Sequence, residues 1–326
     1  MNTMLHGARR LVGVNAGLQK TEKALVVCDT AGDNIAIAEA LTEAIKEVGA
    51  ECTVCIMEPR STHGENPTKA IAAAMQKVDV VFAPTKYSLS HSAAREEANA
   101  IGVRFISMPD YNQTMLEEGC ALDADFLEIH KTVIKLQKML TETKKIHVTT
   151  DLGTDICIDA TGRVGNQVSG VCREAGVWGS PPNIEVNISP IESKTQGIVI
   201  VDGSVPMPEV GVIKSGEQIK LTIVDGRITV FEGGIQAEAL ENLMDKQNHP
   251  ENTVLAEFGI GLNDHAKICG SMLEDEGAYG TAHFGFGHNF DQGGQNKASK
   301  HIDCVYCKPT VTFDGKVIIK DGKFVF

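Results

Sequence analysis

The sequence predicts an α/β fold, an N-terminal, mostly parallel α/β sheet domain followed by a β-rich domain. Two observations predict it. Apolar strand-like runs alternate with helix-period runs through the first 142 residues, and from Ile146 onward short strands are separated by glycine-containing turns. The length of 326 residues exceeds what one core usually supports, about 250 to 300, which favours two domains.

Ala24-Leu25-Val26-Val27-Cys28 reads as a buried strand, residues 29–33 as a turn, and residues 35–48 as a helix because their apolar positions recur every three to four residues. The unit recurs as strand 52–57 with helix 68–77, strand 78–83 with helix 92–100, and then strand 103–108. Strands alternating with helices imply βαβ crossovers and a parallel sheet covered on both faces. A long helix over 123–141 closes this half.

In the second half Ile156-Cys157-Ile158 and residues 197–201, 219–224 and 228–231 read as strands. Asp225-Gly226 between two such runs is a hairpin signal, repeated by Asp314-Gly315 and Asp321-Gly322. One helix, over 236–246, interrupts the strands. Thr143-Lys144-Lys145 separates the two patterns, giving an α/β domain over 1–145 and a β-rich domain over 146–326.

Hydrophobic residues make up 42% and charged residues 22%, which excludes disordered, collagen-like and coiled-coil readings. The net charge of -13 opposes a nucleic-acid partner, whose phosphates need clustered Lys and Arg. No apolar run approaches the roughly 18 residues of a membrane span, and residues 1–23 lack a signal-peptide core. A cytoplasmic protein without a membrane partner is expected. Nine cysteines, an odd count, fit a reducing compartment. Cys304 and Cys307 form the only CxxC pair and read as strand cysteines, since zinc needs more ligands than one such pair supplies. The first strand ends in Asp29-Thr30-Ala31-Gly32-Asp33, whose single glycine among acids excludes the dinucleotide fingerprint.

The chemistry-bearing residues lie between 185 and 303. Ile184, Val186 and Ile188 share one strand face, so Glu185, Asn187 and Ser189 share the other. Glu257 is a lone carboxylate in Leu255-Ala256-Glu257-Phe258-Gly259-Ile260 and needs a cation or hydrogen bonds to offset its burial. In residues 280–288, His283 alternates against Ala282, Phe284 and Phe286, and small neighbours leave room for its ring. His301 and Asp303 are two apart on one strand, so both side chains can grip one ion. Glu274-Asp275-Glu276 reads as a solvated turn, as charge runs usually are. His249 and His265 sit in polar loops and give no signal.

The segments Gly179-Ser180-Pro181-Pro182-Asn183-Ile184-Glu185, Leu255-Ala256-Glu257-Phe258-Gly259-Ile260-Gly261, Leu273-Glu274-Asp275-Glu276, Gly280-Thr281-Ala282-His283 and His301-Ile302-Asp303 occur in this order. The ordered set resembles the thermophilic metalloprotease family of aminopeptidase T (peptidase family M29), in its shorter leucyl-aminopeptidase-like branch. Ser88-Leu89-Ser90-His91 extends the resemblance into the first half. It implies two divalent metals, Zn, Co or Mn, held by Glu185, Glu257, His283, His301 and Asp303, with Glu257 as the bridging, catalytic carboxylate, and it suggests a homodimer. The chain departs from that family at Ile184, where a glycine normally stands, and at Phe290, which takes the position of the catalytic tyrosine; Tyr279 is near in sequence but not at that position.

The second half also resembles the ring-opening 2,5-dihydroxypyridine dioxygenases. That resemblance implies one Fe(II) held by two histidines and a carboxylate, with the His-x-Asp on His301 and Asp303, the other ligand histidine replaced here by Glu257, and a base on His91. Ligand type gives the first resemblance the lead. The expected function is therefore a metal-dependent, aminopeptidase-like hydrolase that cleaves an amide of a peptide or small amino-acid derivative, with the metal site facing the first domain across a cleft. A ring-opening dioxygenase and a metal-free binding protein are the alternatives.

Overall fold

Apolar runs in the first half build a five-stranded parallel sheet. Its strands are β1 (Lys23–Asp29), β2 (Glu51–Met57), β3 (Val80–Thr85) and β4 (Arg104–Pro109), joined by the two-residue Trp178–Gly179. The computed structural model describes residues 3–326, and within them the sheet order is β2-β1-β3-β4-Trp178–Gly179. All its pairings are parallel. The helices are α1 (Leu5–Arg10), α2 (Asn34–Val48), α3 (Lys69–Met75), α4 (Ala93–Ala100) and α5 (Phe126–Glu142). Each predicted strand and helix of this half is present, and α1, which runs on into a wider turn over Leu11–Asn15, is an addition.

The reason is visible in burial. β3 and β4 are buried along their whole length, as expected of parallel strands covered on both faces. Leu25, Val27, Val81 and Phe105 pack there against Ile71 and Met75 of α3. Asp29, at the end of β1, is buried with its carboxylate accepting bonds from the Ala31 and Lys86 amides and from Asn34 Nδ2, at 2.7 to 3.0 Å. The acid that argued against a dinucleotide thus ties the loops after β1 and β3 together.

The second half is antiparallel. One eight-stranded sheet holds Lys145–Thr149, Asp155–Asp159, Gln196–Val201, Ile219–Val224, Arg227–Glu232, Thr310–Phe313, Lys316–Lys320 and Lys323–Phe324. Its three predicted hairpins form; at the first, Asp225 and Gly226 both take positive φ, 49° and 71°, as a tight two-residue turn requires. A seven-stranded sheet holds, in order, Gly211–Val212, Ser204–Val205, His301–Cys307, Thr281–Gly287, Leu255–Gly261, Glu185–Ile188 and Asn166–Val168. The predicted helix forms over Ile235–Met244, and a short one, Met272–Asp275, was not predicted.

By contacts the chain divides into two units. The first runs to His130 and includes Ser169–Pro182; the second holds Lys131–Val168 and Asn183–Phe326. The excursion at 169–182 delivers the strand Trp178–Gly179 to the parallel sheet. Among the described residues, no helix is long and apolar enough to cross a membrane.

Candidate metal centre

Four neighbouring strands of the seven-stranded sheet carry all five predicted ligands on one face. Register pairs Gly261 with Glu185, Gly259 with His283, Gly285 with both Glu257 and Asp303, and Gly287 with His301. The opposite face is apolar: Phe258, Phe284 and Tyr306 stack across three strands at centroid distances of 5.6 and 5.1 Å. Strict alternation would put Glu257 on the same face as Leu255, which pairs with core Phe286. A register shift between Leu255 and Glu257 re-aims the carboxylate, a bulge acting as such irregularities do beside functional sites.

Glycines make the space. A Cβ on Gly259 would lie 2.0 Å from His283 Nε2, and one on Gly285 would lie 2.7 Å from His301 Nε2 and 2.8 Å from Asp303 Oδ1. The small neighbour that clears His283 is therefore Gly259, across the strand pair, while Gly285 clears the His-x-Asp pair.

Two ligand clusters result, Glu185–Glu257–His283 and Glu257–His301–Asp303, each with donor atoms within 4.8 Å of one another and with Glu257 shared. His283 Nε2 lies 3.3 Å from Glu257 Oε1 and 3.5 Å from Glu185 Oε2. His301 Nε2 lies 3.3 Å from Glu257 Oε2 and 3.2 Å from Asp303 Oδ1. His301 Nδ1 donates to the His288 carbonyl at 2.6 Å, which fixes the ring and leaves Nε2 facing the carboxylates. An amide relay supports Glu185: Asn166 Nδ2 donates to Asn187 Oδ1 at 3.1 Å, and Asn187 Nδ2 to Glu185 Oε1 at 2.8 Å. Four of the five side chains are buried, and His301 is 25% exposed, so the centre opens on the His301 side.

Electrostatics follow from packing acids and imidazoles out of water. Burial pushes the Glu185 carboxyl up to about 7, with Glu257 and Asp303 adding to it against His283 and Asn187. Burial also opposes a charged Glu257, but the hydrogen bond from His283 and the nearby charges of His301 and His283 outweigh it and hold Glu257 well below the usual range. The same competition, won by Glu257, Glu185 and Asp303, raises His283 to about 9, and it raises His301 well above its ordinary value. Glu185 Oε2, Glu257 Oε2, Asp303 Oδ1 and His283 Nδ1 are nevertheless buried without a hydrogen-bond partner. Buried, unsatisfied carboxylate oxygens converging with imidazoles across a glycine-cleared face are the donor set of a divalent cation, and the residues fit such an ion.

The structure corrects the reading of Glu274-Asp275-Glu276 as a solvated turn. Asp275 is fully buried and binds the Cys269 and Gly270 amides and Ser204 Oγ, at 2.5 to 3.1 Å. Glu276 is buried against Asp303, and burial with the charges of Asp303, Glu185 and Glu257 raises its carboxyl well above the usual range. Sequence reasoning missed this residue. The available signal was Gly277-Ala278 directly after the acids, which gives them little polar company.

Other predicted positions lie elsewhere. His91 belongs to the first unit, exposed before α4, with its ring edge-on to Trp178 at 5.8 Å. Phe290 is 54% exposed beneath Lys297 Nζ at 4.1 Å, and Tyr279 is exposed against Phe324. Cys304 is buried and Cys307 half-buried; three residues apart on a strand, they face opposite sides and belong to neither cluster.

Comparison with known proteins then separates the two chemistries. The sequence model of the NicX family, 2,5-dihydroxypyridine 5,6-dioxygenase, matches residues 13–326. The 2,5-dihydroxypyridine 5,6-dioxygenase of Pseudomonas putida KT2440 is 24% identical over 270 residues, 79% of this chain and 73% of that protein. Two solved structures share the fold. The 2,5-dihydroxypyridine dioxygenase from Pseudomonas putida KT2440 has a TM-score of 0.80 at 21% identity, covering 99% of this chain and 96% of that one. Wild-type AmpT from Thermus thermophilus has a TM-score of 0.69 at 15% identity, covering 99% of both chains.

These findings overturn the expectation of an M29, aminopeptidase-like metallohydrolase. Both solved structures share this chain's fold, and a shared fold does not fix the reaction. Matched from residue 13 to residue 326, the chain belongs to the NicX, 2,5-dihydroxypyridine 5,6-dioxygenase, family.

Proposed function

We propose that the chain is a ring-opening dioxygenase for an electron-rich hydroxylated pyridine, with one Fe(II) held by Glu257, His301 and Asp303. The family match over residues 13–326 carries this reading. The Glu257–His301–Asp303 cluster supports it, as a triad in which a carboxylate replaces one histidine of the usual two-histidine, one-carboxylate set.

Ferrous iron, when bound, supplies the one-electron chemistry that lets oxygen react with an organic ring. The protein's own residues do the rest. Asp303 and Glu257 bring negative charge to the ion, and the bond from His301 to the His288 carbonyl fixes its ligating nitrogen. In the ion-free protein the carboxylates of Glu257, Glu185 and Asp303 raise His283 to about 9, so its ring can carry the positive charge that balances the second cluster. His91 is the general base that takes the proton from the substrate hydroxyl and leaves the ring electron-rich.

The test is anaerobic loading with Fe(II), metal counting, and oxygen uptake on adding 2,5-dihydroxypyridine. About one iron per chain and oxygen consumption together with loss of the aromatic absorbance are expected. Iron-loaded protein that consumes no oxygen with any hydroxylated pyridine would sink the reading.

A further inference from the structure

A second pair of histidines lies wholly within the first unit. His63 stands in the loop between β2 and α3, and His91 in the loop between β3 and α4; both are exposed. His63 Nδ1 accepts the Ser88 amide N–H at 3.1 Å, and its ring meets Tyr87 edge-on with centroids 5.2 Å apart. The Gly64 amide donates to the Ser88 carbonyl at 2.8 Å. Ser88 is thereby held at both its N–H and its C=O by consecutive residues of the other loop. A Cβ on Gly64 would lie 3.6 Å from His91 Cβ, so the loop carrying Gly64 runs one side-chain atom away from His91.

The far side of the same segment is anchored independently. Ser88 Oγ donates to Ser90 Oγ and Ser90 Oγ to Ser107 Oγ, each at 2.8 Å. Arg95 Nε donates to the Ser90 carbonyl at 2.6 Å, and the guanidinium lies 5.0 Å over the Trp178 ring that His91 meets edge-on. Within this ring of contacts, His63 is the one side chain that clasps the segment through a titratable acceptor.

We infer that His63 is a positioning residue for His91: by accepting the Ser88 N–H it sets the backbone that carries the His91 imidazole. The inference rests on the proposed role of His91 as general base. An imidazole that accepts an amide proton at Nδ1 is neutral and carries its own proton on Nε2. Its surroundings favour that state. Although the residue is exposed, the side of its ring packed on Tyr87 and the Ser88 amide is out of water, and this desolvation lowers its basicity; His91 and Lys86 add to it, and Asp110 opposes it while paired with Lys86 at 3.0 Å. Protonation would set a donor against a donor and open the clasp, so it fails only when pH falls below the ordinary imidazole range.

The experiment compares His63→Leu, His63→Asn and His63→Gln with His91→Ala, in iron-loaded protein turning over 2,5-dihydroxypyridine. Asn places an acceptor near the position of Nδ1, whereas Leu has none and Gln reaches toward the position of Nε2. His63→Leu and His63→Gln should lower kcat about 10-fold with KM within about 2-fold, because displacing a catalytic group costs rate more than binding. His63→Asn should recover to within about 2-fold of the parent and should also lose the acid-side fall in kcat that opening of the clasp produces. Faster hydrogen exchange at the Ser88 amide in His63→Leu, absent in His63→Asn, reads the clasp without reference to activity. If His91→Ala costs 10²-fold or more while His63→Leu is unchanged, the inference is overturned and the role of His91 stands. If His63→Asn is as slow as His63→Leu, the hydrogen-bond account is overturned. If His91→Ala is fully active, both fall together, and the exchange data still report whether the clasp exists.

Discussion

The two pairs of histidines in this chain are held by opposite means. His283 and His301 project from strands into a face crowded with carboxylates, and their protons are held tightly by that charge. His63 and His91 stand on exposed loops at the ends of parallel strands, against aromatic rings, and desolvation lowers the basicity of His63. One pair sits among carboxylates in the candidate metal clusters and the other on loops against aromatic rings, and the difference in proton affinity comes from what each ring touches. Parallel sheets place such loops at their C-terminal edge, whereas an antiparallel face gives rigid, regularly spaced side chains.

The sharpest way to break this comparison is to remove Glu257, the carboxylate shared by both clusters. Glu257→Ala should weaken divalent-metal binding on the order of 10³-fold, because it deletes a ligand and leaves the buried His283 and half-buried His301 without their shared carboxylate. Competition titration against a chelator measures it, and affinity equal to the parent would dissolve the centre. His91→Ala comes next. It should lower kcat by about 10²-fold or more, the scale of acid–base catalysis, while leaving metal content unchanged. Loss of metal in that variant would mean that the two regions do not divide the work as stated.

Much of this was legible in the sequence, for reasons tied to periodicity. Strand and helix periods give the first half its elements because parallel strands buried on both faces read as apolar runs, as Val80–Thr85 does. Period two also selects Glu185, His283, His301 and Asp303. It finds Glu257 only by composition, since the bulge beside it breaks the alternation. Glu276 and His63 escaped because the residue that ends a four-residue helix and a residue in a loop lie on no period to read. The reaction escaped as well. One fold can carry different reactions, and the family assignment came from similarity along residues 13–326.

The proton affinity of the strand-borne pair gives a prediction of opposite signs. In the ion-free protein His301 holds its proton far above the ordinary range, so an incoming ion must displace it. Metal affinity should fall about 10-fold per unit as pH drops, or about 100-fold from pH 8 to 6. Stability of the ion-free fold should run the other way. The His283 contribution is fully present below the unfolded value of about 6.5 and is lost as pH rises through about 9, because the folded state binds the proton more tightly. Calorimetry with and without metal reads both slopes, and parallel trends would contradict the assigned protonation.

The smallest effect belongs to Glu276, which lies behind the ligand Asp303. It is buried beside Asp303, and burial with the charges of Asp303, Glu185 and Glu257 raises its carboxyl well above the usual range, so we expect it to face the ligand as a neutral acid able to donate to that carboxylate. Such a bond orients Asp303 and relieves the repulsion that a second anion would bring. Glu276→Gln keeps a donor of similar shape and should bind metal within about 2-fold of the parent. Glu276→Leu keeps the volume but not the donor, and should bind about 10-fold more weakly, the lower end of what outer ligand partners are worth. If Gln is as damaging as Leu, Glu276 acts as an anion on the ion itself, and the centre has a further ligand that its strand pattern does not carry.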